Sequence, residues 1–178
     1  ISVGEMRDFL DSVTHPLERA LIGTLLKTGL RVGECCNLDL RDVYLDDDEI
    51  RSAFRTPPRG ALDGRPDSIY VSSEPSRGTE YNGEIRSASN KRKRDTVIPI
   101  DAELKRLLKR WLAIRPDTTG TEPFFVSTDE WGRRVTPSMV RNAVTKRARE
   151  RGWYRTGGDA EENITPHYFR HFFTTHLR

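Results

Sequence analysis

Apolar positions recur at helical spacing through the first third of the chain. Met6, Phe9, Leu10 and Val13 follow a Ser2/Glu5 pair spaced as a capping box, which predicts a first helix. Leu17, Ala20, Leu21, Thr24 and Leu25 then line one face of a second helix, opened by Pro16 and stopped at Thr28-Gly29. A short helix over Val32 to Leu38 is expected next. Residues 46–67 hold Pro57-Pro58, Gly60, Gly64 and Pro66, and are expected to form a long loop or insertion. Ser68–Ser73, Glu84–Ala88 and Asp95–Ile100 have strand character, with the last two paired as a hairpin. Asp101 caps the clearest helical stripe, Leu104, Leu107, Leu108, Trp111 and Leu112. Phe124–Ser127 is a short apolar stop. Thr136-Pro137 and Thr165-Pro166 each resemble an N-cap followed by proline at the first helical position, and the last helix is expected to run on to Arg178. The expectation is an α+β domain, mainly helical, with a small three-stranded antiparallel sheet at one edge.

At 178 residues the chain suits one domain with a substantial core. No apolar run approaches the roughly 20 residues of a membrane helix, so no membrane partner is expected. Cys35 and Cys36 are adjacent and cannot build a disulfide framework, which suggests a reducing, cytoplasmic setting. The net charge is only +3, yet it is unevenly spread. Gly132 to Arg155 carries eight basic residues against Glu150 alone, and Arg86 to Arg94 carries five with no acid. Asp39 to Glu49 carries six acids against Arg41. A basic side opposite an acidic one suits a polyanion steered onto one face, although clustered solvated charge is an equal reading.

Three basic stretches carry candidate chemistry. In Thr165-Pro166-His167-Tyr168-Phe169-Arg170-His171, His167 and Arg170 lie three apart and share a helix face near its N-terminus, where free N–H groups favour a phosphate. Arginine can hold two phosphate oxygens in a fork, and histidine can move a proton near neutral pH. Such a pair is also common by chance. In Thr28-Gly29-Leu30-Arg31-Val32-Gly33-Glu34, Arg31 stands at the junction of two helices with Glu34 three residues on, as an ion pair or as a carboxylate that orients a functional guanidinium. Asn90-Lys91-Arg92-Lys93-Arg94 runs into an apolar strand, where a lysine can reach a leaving oxygen as general acid or simply protect a sheet edge. Arg92, Lys93, Arg94, Arg141, Lys146 and Arg147 are candidates for contacts with nucleic-acid phosphates. His167, His171 and His176 lack the intervening carboxylate of a zinc helix and have Arg170 among them, so no metal site is expected.

Taken in series, these stretches resemble the tyrosine recombinase (phage integrase) family. Thr28-Gly29-Leu30-Arg31-x-x-Glu34 is similar to its first arginine motif, Lys91-x-x-Arg94-x-x-x-Ile98-Pro99 to its catalytic β-hairpin, and His167-x-x-Arg170-His171 to its second arginine box. They occur in the family's order, and the resemblance covers essentially the whole chain.

The resemblance implies site-specific recombination of double-stranded DNA by metal-free, cofactor-free transesterification. Arg31 and Arg170 would bind the scissile phosphate, Lys91 (or Lys93) would protonate the leaving 5′ oxygen, and His167 would assist the nucleophile's proton. It also implies that residues 1–178 are a catalytic-domain fragment. A core-binding DNA clamp would precede it, and the nucleophilic tyrosine would follow Arg178, because none of Tyr44, Tyr70, Tyr81, Tyr154 or Tyr168 matches its position. The chain alone is therefore expected to bind DNA without cleaving it, and the parent to act as a homotetramer on DNA. A type IB topoisomerase-like enzyme, or a non-catalytic DNA-binding regulator descended from an integrase, are the alternatives.

Overall fold

The structure is a computed structural model and describes residues 1–130, 132–159 and 162–177. Seven α-helices are assigned among these residues: α1 Val3–Ser12, α2 Pro16–Thr28, α3 Val32–Cys36, α4 Asp48–Ala53, α5 Ala102–Ile114, α6 Pro137–Glu150 and α7 Pro166–Phe172. The last continues as a π-helical turn over Phe173–Leu177, and Arg178 lies outside the described residues. No described helix is long and apolar enough to cross a membrane.

α2 is the centre of the domain. Leu17, Ala20, Leu21, Ile22, Leu25 and Leu26 are all buried, so this helix is covered on every side, by α1, α3, α5, α6 and α7. Its two buried threonines spend their hydroxyls inside the helix, Thr24 donating to Ala20 O at 2.7 Å and Thr28 to Thr24 O at 2.5 Å. Burial therefore leaves neither hydroxyl unsatisfied. The apolar stripe of α5 packs against α2, and Trp111 donates its indole N–H to Phe124 O at 2.8 Å. That bond ties the Phe124–Val126 stop into the same core. Ser2 and Glu5 form the expected capping box.

The sheet has three antiparallel strands in the order β1 (Val43–Tyr44), β2 (Ser68–Val71), β5 (Thr96–Pro99). Ile69 and Val71 turn inward to the core, while Tyr70 faces out, as the two-residue period of a strand demands. The number of strands matches the expectation, but their pairing does not. Asp95–Ile100 does not pair with Glu84–Ala88; β5 pairs with β2, Ile69 opposite Ile98 and Val71 opposite Thr96. The segment Glu84–Ile85 (β4) instead closes a small hairpin with Glu80–Tyr81 (β3). Residues 72–95 are thus an arm between two neighbouring strands. Side-chain bonds to the body of the domain hold it, and local alternation along the strands does not register them. The stretch 46–67 is not all loop: α4 forms there, capped by the Asp47 side chain on Ile50 N at 3.0 Å.

The arm is riveted to the domain by buried charge. Arg86 is 1% exposed and donates to Asp39, Asn37 O and Tyr81 O. Arg134 pairs with the same Asp39 carboxylate and also with Glu84 at 2.8 Å. Asn90 accepts from Asn37 at 2.8 Å and donates to Ser72 O at 2.8 Å. Arg86 and Arg134 therefore do not belong to a basic surface, nor Asp39 to an acidic one. The charge asymmetry expected from the sequence is weaker than a count of residues suggests.

Candidate active site

Glu34 organises the site. It occupies the first turn of α3, its side chain is 0% exposed, and it accepts from Arg31 N at 2.9 Å. Three guanidinium groups from distant parts of the chain gather on it. Arg92 Nε lies 2.5 Å from Oε2, Arg31 Nη1 lies 3.7 Å from Oε1, and Arg170 Nη1 lies 4.0 Å from Oε1. Because Arg31 and Arg170 approach the same oxygen, their Nη1 atoms can be no farther apart than the sum of those two distances. The buried carboxylate is what permits three cations to crowd there, since an uncompensated cluster would be driven apart.

The motif Thr28-Gly29-Leu30-Arg31 explains how Arg170 is aimed. Gly29 ends α2 in the left-handed region at φ 69°, and its carbonyl accepts from Arg170 Nη1 at 2.6 Å. A Cβ at this position would stand 2.4 Å from Phe173 Cδ1, so glycine is required both by the backbone and by the close approach of the last helical turn. Burial, together with the charges of Arg31 and Arg92, pulls Arg170 below the usual guanidinium value, with Glu34 opposing. The group stays charged but its hydration is thin, which strengthens its hold on an incoming anion.

Lys91 sits on the arm just before β5, exposed, with φ 50°. It lines one cleft with Arg31 and Arg141. Its neighbour Arg92 turns the other way, to Glu34 and to Thr96 Oγ1 at 3.1 Å. Arg92 is thus a clip that fixes the lysine-bearing segment to the arginine pair, a role that its place in a basic run concealed. His167 is exposed on the first turn of α7, one turn before Arg170. Tyr168 is half-buried against Phe172 and His171, away from the arginines. Lys93 and Arg94 are exposed, with no carboxylate partner among the described residues.

The basic residues of α6 do not act together. Arg141 faces the cleft, whereas Lys146 and Arg147 border a separate hollow with His15 and Glu18. Arg147 is engaged there, bonded to Glu18 at 2.6 Å and to Glu150 at 3.1 Å. Five positions along a helix is a rotation of about 140° from Arg141 to Lys146, enough to separate the two. Arg77 and Ser87, from the arm, also line the cleft beside Lys91. No local pattern marks them, since only the arm's folding brings them there.

The chain thus combines a helical body with a three-stranded edge sheet and two arginines gathered on one buried carboxylate. The chain belongs to the phage integrase family, whose model matches residues 3–178. It is 24% identical over 174 residues to tyrosine recombinase XerC of Thermodesulfovibrio yellowstonii, covering 94% of this chain and 43% of that protein. Among solved structures it resembles the XerA recombinase, with TM-score 0.65 and 22% identity over 99% of this chain and 50% of that one. It also resembles the Tn1549 transposon integrase in complex with a circular intermediate DNA, with TM-score 0.67 and 19% identity over 99% of this chain and 52% of that one. The chain therefore spans about half the length of these relatives.

Proposed function

We propose that this chain is the catalytic domain of a tyrosine site-specific recombinase that cuts and rejoins duplex DNA through a 3′-phosphotyrosyl intermediate. The observation that carries this reading is the convergence of Arg31 and Arg170 on Glu34, with the segment bearing Lys91 clipped to the same carboxylate by Arg92. Arg31 and Arg170 bind the non-bridging oxygens of the scissile phosphate, and their contribution grows as charge builds on the pentavalent transition state. A tyrosine oxygen, supplied from beyond Arg178, attacks phosphorus while the bond to the 5′ oxygen breaks. His167 takes the tyrosine's proton, and Lys91 delivers one to the departing oxygen. The phosphotyrosyl bond retains the energy needed for rejoining to a new 5′ hydroxyl. Around the scissile phosphate, Lys93, Arg94 and Arg141 hold neighbouring backbone phosphates, and the parent assembles as a homotetramer on two duplexes.

The test is covalent capture. The full-length parent, incubated with duplex containing its target site, should leave a 3′-phosphotyrosyl adduct identifiable by mass spectrometry, and Arg31→Ala or Arg170→Ala should abolish it without abolishing DNA binding. Cleavage that leaves a free 3′ end and no adduct would overturn the proposal. Adduct and religation without exchange between two duplexes would point to a type IB topoisomerase-like enzyme instead.

A further inference from the structure

We infer that the arm and α6 build a second phosphate-binding subsite, for a non-scissile backbone phosphate of the same DNA, from Arg77, Arg141 and the hydroxyls of Ser87 and Ser138. The inference rests on the recombinase reading above and adds to it a subsite outside the three motifs.

The cleft is lined by four cationic side chains, Arg31, Arg77, Lys91 and Arg141, and by no carboxylate. They come from four places: the turn before α3, the two limbs of the arm, and the first turns of α6. Some exposed arginines elsewhere on this domain are held by acids. Arg7 pairs with Glu103, Arg19 with Asp11, Arg133 with Glu130 and Arg155 with Glu162. Arg77 and Arg141 make no such pair among the described residues, although the sequence holds 27 acids. Arg31 has Glu34 behind it, but Arg77, Lys91 and Arg141 converge on this concave site with no carboxylate partner among the described residues, and such like charges repel one another unless a ligand supplies the negative charge. Hydroxyls from both walls, Ser87 on the arm and Ser138 on α6, complete a donor set suited to phosphate oxygens.

The subsite is prebuilt. Gly33 on α3 lies against the arm so closely that a Cβ would stand 2.8 Å from Ser89 O and 3.3 Å from Ala88 Cβ. The Ser89 hydroxyl in turn accepts from Arg77 N at 2.8 Å, fixing the limb that carries Arg77. With Arg86 buried behind it, the arm has little freedom to swing away. Arg31 is the shared wall: it faces the scissile phosphate through the Glu34 cluster and the second phosphate through this cleft. The arm would thereby fix the register of the duplex before chemistry begins.

The experiment measures binding of this chain to a fluorescent duplex across a range of salt concentrations. Removing one phosphate contact flattens the slope of log K against log salt by about 0.9. Arg77→Gln and Arg141→Gln should each flatten it by about that amount and weaken binding roughly five- to tenfold at low salt. Arg77→Lys should keep the slope, and Lys109→Ala, which removes a cation paired with Asp47 on another face, should change neither quantity. Gly33→Ala, provided its far-ultraviolet spectrum and melting remain native, should mimic Arg77→Gln. Wild-type slope in both glutamine variants, while Arg31→Gln and Arg170→Gln still flatten it, overturns the subsite and leaves the recombinase reading standing. No salt-dependent binding by the unaltered chain would overturn both.

Discussion

Replacing Glu34 with glutamine removes one negative charge from a side chain that is 0% exposed and leaves three guanidinium groups facing a neutral amide. Breaking a buried ion pair typically costs about 3–5 kcal/mol. Here the partners are partly solvated, Arg92 at 20%, Arg170 at 32% and Arg31 at 44% exposed, so part of that cost is screened. Glutamine can still accept from Arg31 N, but its NH2 group then meets a guanidinium. The expected loss is about 2–3 kcal/mol, which in a domain of this size lowers the melting temperature by roughly 4–12 °C. Differential scanning calorimetry or urea titration of Glu34→Gln against the unaltered chain measures it. Arg92→Gln alone should cost about 1–2 kcal/mol, and almost nothing once Glu34 is glutamine, because the two share one interaction. A change in melting temperature below about 1 °C, or full additivity of the two substitutions, would refute the view that Glu34 holds the cluster together.

Gly29→Ala should lower stability by more than the ~1 kcal/mol usual for a left-handed position, because the new methyl meets Phe173; DNA binding by the refolded protein should weaken as Arg170 loses its carbonyl anchor. Burial alone would raise the Asp39 carboxyl, but Arg134 and Arg86 hold it below the usual range. A depressed folded value gives stability that is present above the unfolded value and lost as pH falls through the folded one. Urea melts of Asp39→Asn against the unaltered chain should therefore differ by a constant amount from pH 8 down to about 4 and converge only below it. Burial pushes the Cys36 thiol up to about 12, and burial again, with Cys36 and Glu34 nearby, raises Cys35 well above its ordinary value. Neither should react with a disulfide reagent at pH 8 until the protein unfolds, as followed by absorbance of the released thiolate.

What the sequence disclosed was what local periodicity and capping encode. The stripe of α5, the Ser2/Glu5 box and the Gly29 stop are each visible within a few residues, and each forms where expected. The arginine motifs were legible for the same reason, since Arg31 and Glu34 share one turn and His167 and Arg170 another. Arg86 and Arg134 were not. Their partner Asp39 lies 47 and 95 residues away, and an arginine that will be buried looks the same in sequence as one that will be solvated. The arm failed for a related reason: β3 and β4 are two residues long, too short to display alternation, and side-chain bonds to the body determine its path. Helix α4 carries only Ile50 and Ala53 as apolar residues in its six positions, so its capping by Asp47 is its main signature. Arg92 was legible as a basic residue but not as the clip on Glu34, because that contact spans 58 positions.

The most direct test of the account uses the full-length parent and a substrate whose scissile 5′ oxygen is replaced by sulfur, which leaves without needing a proton. Lys91 lines the cleft beside Arg31, whereas Arg31 and Arg170 gather on Glu34 and, in the proposed mechanism, receive the phosphate itself. Single-turnover cleavage should be almost lost in Lys91→Ala on the ordinary substrate and largely restored on the sulfur substrate. Arg31→Ala and Arg170→Ala should remain inactive on both, because transition-state charge still has to be stabilised. Rescue of Lys93→Ala with Lys91→Ala staying inactive would assign the proton to the wrong lysine here, and rescue of the arginine variants would contradict the division of labour on which the site is understood.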